Sequence, residues 1–252
     1  MRWVAPLDWW SSYFDDDYLL EHSSMFAPER TRAEAARALV LLGLPAGARI
    51  LDCPSGQGRH ARLFAGAGLD VTALDYSAKL LANGRRGGAA RGLRFVKGDS
   101  RALPATWDER FDAVVSLGAS FGFFATPAED DAVIAGFARV LRPGGVLLLH
   151  ATNRDGVVSR FIKKDWWETN DGTLVLYERE FDPLSAILTV YVVLPRAAKL
   201  RRRAYRLRLY TATELAVMCA RHGLIVTEAF DGWHDRPLRR RSGEMLLRAE
   251  RS

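Results

Sequence analysis

The chain has 252 residues, 48% of them hydrophobic, which is enough to bury a full core as one large domain or two small ones. Because it has two cysteines, Cys53 and Cys219, and no Cys/His cluster at zinc spacing, the composition excludes a disulfide framework and predicts no metal site. The longest apolar runs are too short to cross a bilayer and the N-terminal segment has no signal-peptide pattern, so we expect a cytoplasmic protein with no membrane partner. The formal net charge of +6 is compatible with a nucleic-acid partner, an acidic substrate or an acidic surface.

The first predicted element is a helix over residues 29–42, where apolar side chains recur at helical spacing and share one face. From residue 45 onward, short apolar runs alternate with helical patterns. The predicted strands are 48–52, 70–77, 93–100, 111–118 and 145–153, and the predicted helices between them are 59–68, 78–86 and 128–141. Strands that are continuous apolar runs and alternate with helices are typical of a parallel sheet covered on both faces.

The pattern changes between residues 156 and 210, where strand-like runs follow one another closely. Three strands are predicted at 173–181, 186–194 and 202–210, with a hairpin turn at "DPLS" between the first two. A helix over 211–223 follows, with Thr211 or Thr213 as its N-cap, and strands at 224–230 and 243–251 return the chain to the core sheet. The predicted organisation is therefore an N-terminal helical cap (1–44), an α/β core (45–155 and 211–252) and an antiparallel lid insertion (156–210).

The loop in "ILDCPSGQGRH", residues 50–60, has the glycine spacing of a nucleotide-cofactor site. Gly56, Gly58 and Ala61 satisfy the G-x-G-x-x-A pattern, which on its own is a weak signal for a dinucleotide. A pyrophosphate needs backbone N–H donors, and Pro54 has none. Asp52 at the strand end would repel the pyrophosphate, at an electrostatic cost on the order of several kcal/mol even at an effective dielectric near 20.

An ammonium group, in contrast, is bound by the carboxylate of Asp52 and by backbone carbonyls, including that of Pro54. S-adenosylmethionine has an ammonium, a carboxylate, a ribose and an adenine, and its carboxylate can still use the helix N-terminus at Gly58. The loop therefore favours S-adenosylmethionine over a dinucleotide, and a dehydrogenase remains a distant alternative.

Two further acids follow the next two predicted strands. Asp75 is predicted to accept hydrogen bonds from the ribose hydroxyls, and Asp99 to accept one from the adenine amino group. Tyr76 is predicted to lie against the adenine ring. The acids also have a structural interpretation: Asp75 and Asp99 as turn residues and Asp52 as the cap of the next helix. Ser100 and Leu117, at the ends of the third and fourth strands, complete the predicted cofactor-binding set.

Five motifs occur in one order: "ILDCPSGQGRH", "VTALDYS", "VKGDSRALP", "FDAVVSLGASFGFF" and "LRPGGVLLL". Together they resemble class I S-adenosylmethionine-dependent methyltransferases over residues 45–155. The resemblance implies a doubly wound, Rossmann-like sheet of seven strands with the last one antiparallel. It also likens the insertion to the lid of members that methylate small molecules, including amino-acid and sugar N-methyltransferases. The chain departs from the family at Pro54, where a glycine is usual, and at His150, where related members often have an acid.

The remaining candidate residues surround the expected methyl position. His150, at the end of the fifth strand, is the candidate general base, with a structural histidine as the alternative. Tyr13 and Tyr18 are predicted to close over the cofactor, with Tyr13 assigned to catalysis and Tyr18 to the substrate; packing of the cap is the alternative. The other predicted substrate contacts are Ser120, Phe121 and Phe124 in the pocket and Trp166 and Trp167 by stacking or cation–π contact, with lid packing as the alternative for the tryptophans.

The sequence therefore predicts a methyltransferase of EC 2.1.1 type acting on an oxygen or nitrogen of a small molecule, as a monomer or homodimer. Two alternatives stay open. The arginine-rich stretches 199–208 and 238–242 admit an RNA-modifying methyltransferase, although such runs are more typical of solvated faces. A non-catalytic protein that binds the cofactor is the other alternative.

Overall fold

Two β-sheets organise the chain in the computed structural model, which describes residues 4–196 and 199–252. Residues 1–3 of the predicted cap and 197–198 of the predicted insertion lie outside the described residues. The helices are α1 Trp10–Tyr13, α2 Asp16–Glu21, α3 Pro28–Leu42, α4 Arg59–Gly66, α5 Ala78–Arg86, α6 Pro127–Val140, α7 Arg154–Ser159 and α8 Ala212–Arg221. The strands are β1 Arg49–Asp52, β2 Asp70–Asp75, β3 Leu93–Lys97, β4 Phe111–Ser116, β5 Leu141–Thr152, β6 Lys164–Glu168, β7 Leu174–Asp182, β8 Ile187–Arg196, β9 Lys199–Arg208, β10 Leu224–Asp231 and β11 Glu244–Arg251.

The larger sheet has seven strands in the order β3-β2-β1-β4-β5-β11-β10. Strands β1 to β5 pair in parallel, and β11 is antiparallel to both of its neighbours, β5 and β10. The predicted fold class, an α/β Rossmann-like sheet with an antiparallel last strand, is confirmed. Because the sheet is doubly wound, the carboxyl ends of its parallel strands lie along one edge, where ligands of such folds bind.

Both faces of the larger sheet are buried, as the apolar strand runs predict. One face packs against α6 and α8 through side chains such as Phe137 and Leu215. The other face packs against α3 and α4 through side chains such as Ala38 and Phe64. No described helix is both long enough and apolar enough to span a bilayer.

Local signals position the helices. Helices α6 and α8 each begin with a capping box, Thr126 with Glu129 and Thr211 with Glu214, in which the threonine oxygen and the glutamate side chain satisfy one another's backbone N–H groups. Thr211, of the two predicted alternatives, is therefore the N-cap of α8. Helix α3 ends where Gly43 adopts a left-handed φ of 59°.

The smaller sheet is antiparallel, in the order β6-β7-β8-β9, and forms the predicted insertion. Three strands were expected and a fourth, β6, is present, because "KDWWE" pairs with β7 along its whole length. The predicted turn after β7 is held by the Asp182 carboxylate, which accepts hydrogen bonds from the backbone N–H groups of Leu184 and Ser185 at 3.0 and 3.3 Å.

The N-terminal helices α1 and α2 pack on this smaller sheet, whereas α3 packs on the larger one. Their main polar contact is Glu21, which is 0% exposed. Its carboxylate accepts hydrogen bonds from the hydroxyls of Tyr13 at 2.8 Å and Tyr177 of β7 at 2.6 Å. The first two helices are therefore bound to the insertion by a buried acid.

Replacement of Gly58 by alanine is expected to destabilise the fold. Its φ is +71°, a left-handed conformation that costs a residue with a Cβ about 1–2 kcal/mol. Alanine would also clash, because its Cβ would lie 2.5 Å from the ring of Phe95. Gly144→Ala is the matched control, because Gly144 has a φ of +73° but no atom within 4 Å of a built Cβ. Chemical denaturation should show a larger loss of unfolding free energy for Gly58→Ala, and equal losses would contradict the close packing on Phe95.

Candidate functional site

A cleft of about 750 Å³ opens at the carboxyl ends of β1 to β4. We call it the main cleft. Its wall contains six of the predicted cofactor-binding residues, which are Pro54, Gly56, Asp75, Tyr76, Asp99 and Ser100. It also contains four of the predicted substrate-binding residues, which are Tyr18, Ser120, Phe121 and Phe124. Most of the residues chosen from the sequence are thus brought to one place.

A second space of about 510 Å³, the adjoining cavity, lies on the other side of the glycine loop. It shares five residues with the main cleft, which are Tyr18, Pro54, Gly56, Leu80 and Ser120. Asp52 and Leu117, which complete the predicted cofactor set apart from Gly58, line this cavity. Gly58 lines neither space and is instead the N-cap of α4.

The glycine loop is closed by Asp75. The Gly56 N–H donates a hydrogen bond to Asp75 Oδ2 at 2.7 Å, and the Ser77 N–H donates to Oδ1 at 2.8 Å. Burial raises the pKa of Asp75, and these backbone donors oppose that rise. Since each carboxylate oxygen has a second lone pair, Asp75 can still accept hydrogen bonds from a ligand in the main cleft.

Asp52 is a buried acid with an unpaired oxygen. It is 1% exposed, and its Oδ2 has no hydrogen-bond partner in the described part of the chain. Burial raises its pKa to about 8, with the charge of Arg59 opposing the rise and the charge of Asp75 adding to it. An orphaned acceptor beside a cavity is satisfied by a ligand that brings a cation or a hydrogen-bond donor.

Asp99 is held by a partner that the sequence analysis missed. Arg101 donates from its backbone N–H, its Nε and its terminal nitrogen to the Asp99 carboxylate, with the shortest contact at 2.6 Å. The pKa of Asp99 is lowered, because these bonds outweigh the opposing effect of burial. The sequence signal for this pairing is an arginine two residues after an acid at a strand end.

Aromatic rings from the N-terminal helices close the main cleft. Trp10 and Phe14 line it together with Tyr18, and Trp10 meets Tyr76 edge-on at 4.9 Å. The guanidinium of Arg101 lies 4.8 Å from the Trp10 ring centre, which joins this wall to Asp99. Trp10 and Phe14 were not predicted, but aromatic residues at 10, 14 and 18 recur every four residues.

His150 lies outside both spaces, at the junction of β5 and β11. It is 2% exposed; its Nδ1 accepts a hydrogen bond from the Ala119 N–H at 3.2 Å, so its Nε2 donates to Glu244 at 3.2 Å. Both ring nitrogens are therefore engaged within the protein. A catalytic role for His150 stays a prediction.

Three other predicted residues also lie apart from the cleft. The Tyr13 hydroxyl is engaged with Glu21, and burial is the main cause that raises its pKa well above the ordinary value. Trp167 stacks on Tyr177 at 3.7 Å and donates its indole N–H to the Glu21 carbonyl, while Trp166 is 62% exposed. Neither tryptophan lines the main cleft or the adjoining cavity.

One histidine that is not among the predicted site residues lines the adjoining cavity. His60 Nε2 lies 2.9 Å from the carboxylate of Glu34, on α3. Burial lowers the pKa of His60 to about 4, although the hydrogen bond to Glu34 opposes this shift. The ring is therefore neutral near pH 7.

Comparison with known proteins identifies the central segment. Residues 50–145 match a family model described as a methyltransferase domain. A glycine/sarcosine N-methyltransferase from Halorhodospira halochloris is 38% identical over 112 residues, which cover 44% of this chain and 42% of that protein. The chain thus spans less than half the length of this curated relative.

Solved structures match over most of the chain. The CcbJ methyltransferase from Streptomyces caelestis superposes with a TM-score of 0.76 at 21% identity, over 87% of this chain and 89% of that one. An S-adenosylmethionine-bound amino pentose methyltransferase from Micromonospora echinaspora, involved in calicheamicin biosynthesis, superposes with a TM-score of 0.67 at 26% identity, over 89% and 91% of the two chains. The fold is that of the class I methyltransferases.

Replacement of Asp52 by asparagine is expected to change how stability depends on pH. With the folded-state pKa raised to about 8, the folded protein binds more protons than the unfolded chain between about pH 4 and pH 8, so the wild type loses unfolding free energy as pH rises through that window. Asparagine removes this loss, by up to about 1.4 kcal/mol per pH unit. Urea denaturation at pH 5 and pH 8 measures the difference between the two proteins.

Asp70→Asn, at the opposite end of β2, removes one carboxylate far from the cleft and controls for net charge. A wild-type unfolding free energy that does not fall relative to that of Asp52→Asn between pH 5 and pH 8 would contradict the burial of an unpaired acid.

Proposed function

We propose, on the premise that residues 50–145 form a domain of the methyltransferase family, that this protein transfers a methyl group from S-adenosylmethionine to an oxygen or nitrogen of a small molecule. The observation that carries the proposal is the unpaired, buried carboxyl oxygen of Asp52 beside the glycine loop. Such an oxygen can accept a hydrogen bond from the ammonium of this cofactor, and it offers no backbone N–H donor to a diphosphate. The electrostatics of the loop thereby support the same cofactor that the fold and the domain indicate.

The described residues fit the other parts of the cofactor. Asp75 keeps lone pairs for ribose hydroxyls, and the helix N-terminus after Gly58 suits a carboxylate. The apolar side chains of the main cleft, with Leu74 and Val133 beside the aromatic wall, suit an adenine. A cleft of about 750 Å³ lies in the size range of cofactor sites. When bound, the cofactor supplies an electrophilic methyl group on a positively charged sulfur.

The residues of the chain contribute mainly alignment and exclusion of water. Orientation of two reactants can contribute about 7–11 kcal/mol to a displacement. The proposed cofactor spans both spaces, since Asp75 lines the main cleft and Asp52 the adjoining cavity. Tyr18 and Ser120 line both spaces as well, and we propose that they contact the acceptor beside the cofactor. The aromatic wall formed by Trp10, Phe14 and Tyr18 reduces the access of water to this position. The ring nitrogens of His150 and the hydroxyl of Tyr13 are hydrogen-bonded within the protein. These contacts support a role in which both residues hold neighbouring parts of the chain in place.

A small-molecule acceptor is supported by what the similar proteins are named for. One acts on glycine and sarcosine, and another is an amino pentose methyltransferase. The stretch 199–208, which admits RNA, lies on β9, where Arg201 pairs with Asp17 and Arg203 with Asp15. Since these cations are engaged within the protein, this stretch does not favour an RNA substrate. Both cysteines are buried and unpaired, which supports a cytoplasmic location.

Replacement of Asp75 by asparagine is expected to weaken binding of S-adenosylhomocysteine, the demethylated cofactor, at least tenfold. The change removes the charge from an acceptor of ligand hydroxyls, and a hydrogen bond to a charged group contributes about 1.5–3 kcal/mol. Isothermal titration calorimetry measures the dissociation constant, and Asp70→Asn on the same strand is the matched control. Wild-type protein that does not bind, or equal affinities for wild type and Asp75→Asn, would refute the proposal.

Incubation with methyl-labelled cofactor and a cell extract is expected to place label in the small-molecule fraction. Mass spectrometry of the labelled species identifies the acceptor and the methylated atom. Label that appears in RNA, and is lost on ribonuclease treatment, would establish the RNA-modifying alternative instead. Cofactor binding without any transfer would leave a non-catalytic binding protein.

A further inference from the structure

A third concave region, which we call the arginine cleft, lies between the start of α3, the end of α7 and the loop from β10 to β11. Its open volume is about 1410 Å³. Five arginines line it, which are Arg30, Arg160, Arg236, Arg239 and Arg241. This concentration of guanidinium groups belongs to neither the main cleft nor the adjoining cavity.

The acids of the arginine cleft pair with only two of its five arginines, Arg30 and Arg236. Glu34 bonds Arg30 at 2.8 Å and His60 at 2.9 Å. Asp231 pairs with Arg236 at 2.6 Å, and Glu244 accepts from His150. Among the described residues, no acidic group forms a salt bridge with Arg160, Arg239 or Arg241. The cleft therefore keeps a positive charge that its own carboxylates do not neutralise.

A fixed turn presents two of these unpaired arginines. The Ser242 N–H donates to the Arg239 carbonyl at 2.9 Å, and the Arg239 N–H donates back to Ser242 Oγ at 3.0 Å. The Ser242 carbonyl accepts from the Asn153 side chain at 2.8 Å, and Gly156 of α7 packs directly against it. Arg239 and Arg241 thus project from a braced backbone rather than from a free loop.

The third unpaired arginine faces the same loop from α7. The Arg160 guanidinium lies against Gly243, one residue beyond the braced turn. Because a guanidinium presents a planar fork of donors, three such groups around one concavity match an oxyanion with several acceptor oxygens.

Hydrogen-bonded pairs form the wall between the arginine cleft and the proposed methyl-transfer site. Glu34 lines the arginine cleft, and its partner His60 lines the adjoining cavity. Trp233, which also lines the arginine cleft, lies 6.1 Å from the His60 ring and 5.2 Å from the His150 ring. A ligand in the arginine cleft is therefore separated from the adjoining cavity by the thickness of one pair of side chains.

We propose that the arginine cleft binds a phosphate or diphosphate group of a small molecule. Phosphate suits the site better than a single carboxylate, because three unpaired guanidiniums exceed what one monoanion requires. A bounded concavity also favours a small molecule over a nucleic-acid strand, which needs an extended basic groove.

Calorimetric titration with inorganic pyrophosphate tests the site directly. Wild-type protein should bind pyrophosphate more tightly than it binds succinate, which probes carboxylate binding. The double variant Arg239→Ala/Arg241→Ala should lose at least tenfold in pyrophosphate affinity. Arg240→Ala is the matched control, because Arg240 is an exposed member of the same turn that does not line the cleft.

Three results would overturn the proposal: no binding of pyrophosphate by wild type, tighter binding of succinate, or an equal loss in Arg240→Ala and the double variant. Single-stranded RNA that binds more tightly than pyrophosphate, with a loss in all arginine variants, would likewise replace it with a nucleic-acid surface. The substituted side chains are exposed, so the variants should fold, and thermal melting verifies this.

S-adenosylhomocysteine titrated into the same preparations separates this inference from the proposed function. Its affinity should be equal in wild type, Arg240→Ala and the double variant. Absent pyrophosphate binding with intact S-adenosylhomocysteine binding would refute only the arginine cleft. Absent S-adenosylhomocysteine binding with intact pyrophosphate binding would refute the methyltransferase function and leave a phosphate site.

Discussion

The hydrogen bond from the Gly56 N–H to the Asp75 carboxylate is the contact on which the candidate site depends. It joins the loop after β1 to the end of β2, and so fixes the backbone that separates the main cleft from the adjoining cavity. Asp75 places a carboxyl group at this loop, and the buried Asp52 adds a second one with an unpaired oxygen. The glycines give the loop its shape, whereas the two acids offer oxygen atoms to a ligand.

Much of this arrangement can be predicted from the sequence, because local patterns determine it. The apolar runs and their alternation with helices predict the larger sheet, and parallel strands bring Asp52, Asp75 and Asp99 to one edge. The aromatic wall at Trp10 depends on packing between distant segments, whereas the contact between Arg101 and Asp99 joins residues two positions apart and could have been indicated by the sequence. Strand β6 was missed because its five residues carry no apolar run and are held by pairing with β7.

Polar residues at strand ends have two outcomes that sequence alone does not separate. Asp52 keeps an unpaired oxygen, whereas His150, near the end of β5, uses both ring nitrogens within the protein. The difference lies in Glu244, which is 94 residues away and reaches His150 only because β11 pairs antiparallel to β5. Tyr13 is similar, since its hydroxyl is occupied by an acid that Tyr177 of the insertion also contacts. Residue type and position in the sequence thus indicate candidate site residues. Their partners in the folded protein decide whether their polar atoms are free to contact a ligand.

The buried Glu21 has a consequence for how the N-terminal helices and the insertion can move. Its carboxylate accepts one hydrogen bond from Tyr13 of the N-terminal helices and one from Tyr177 of the insertion. Separating the two elements would leave a buried acceptor without one of its donors, which costs about 1–3 kcal/mol. A displacement that carries both elements as one unit avoids that cost.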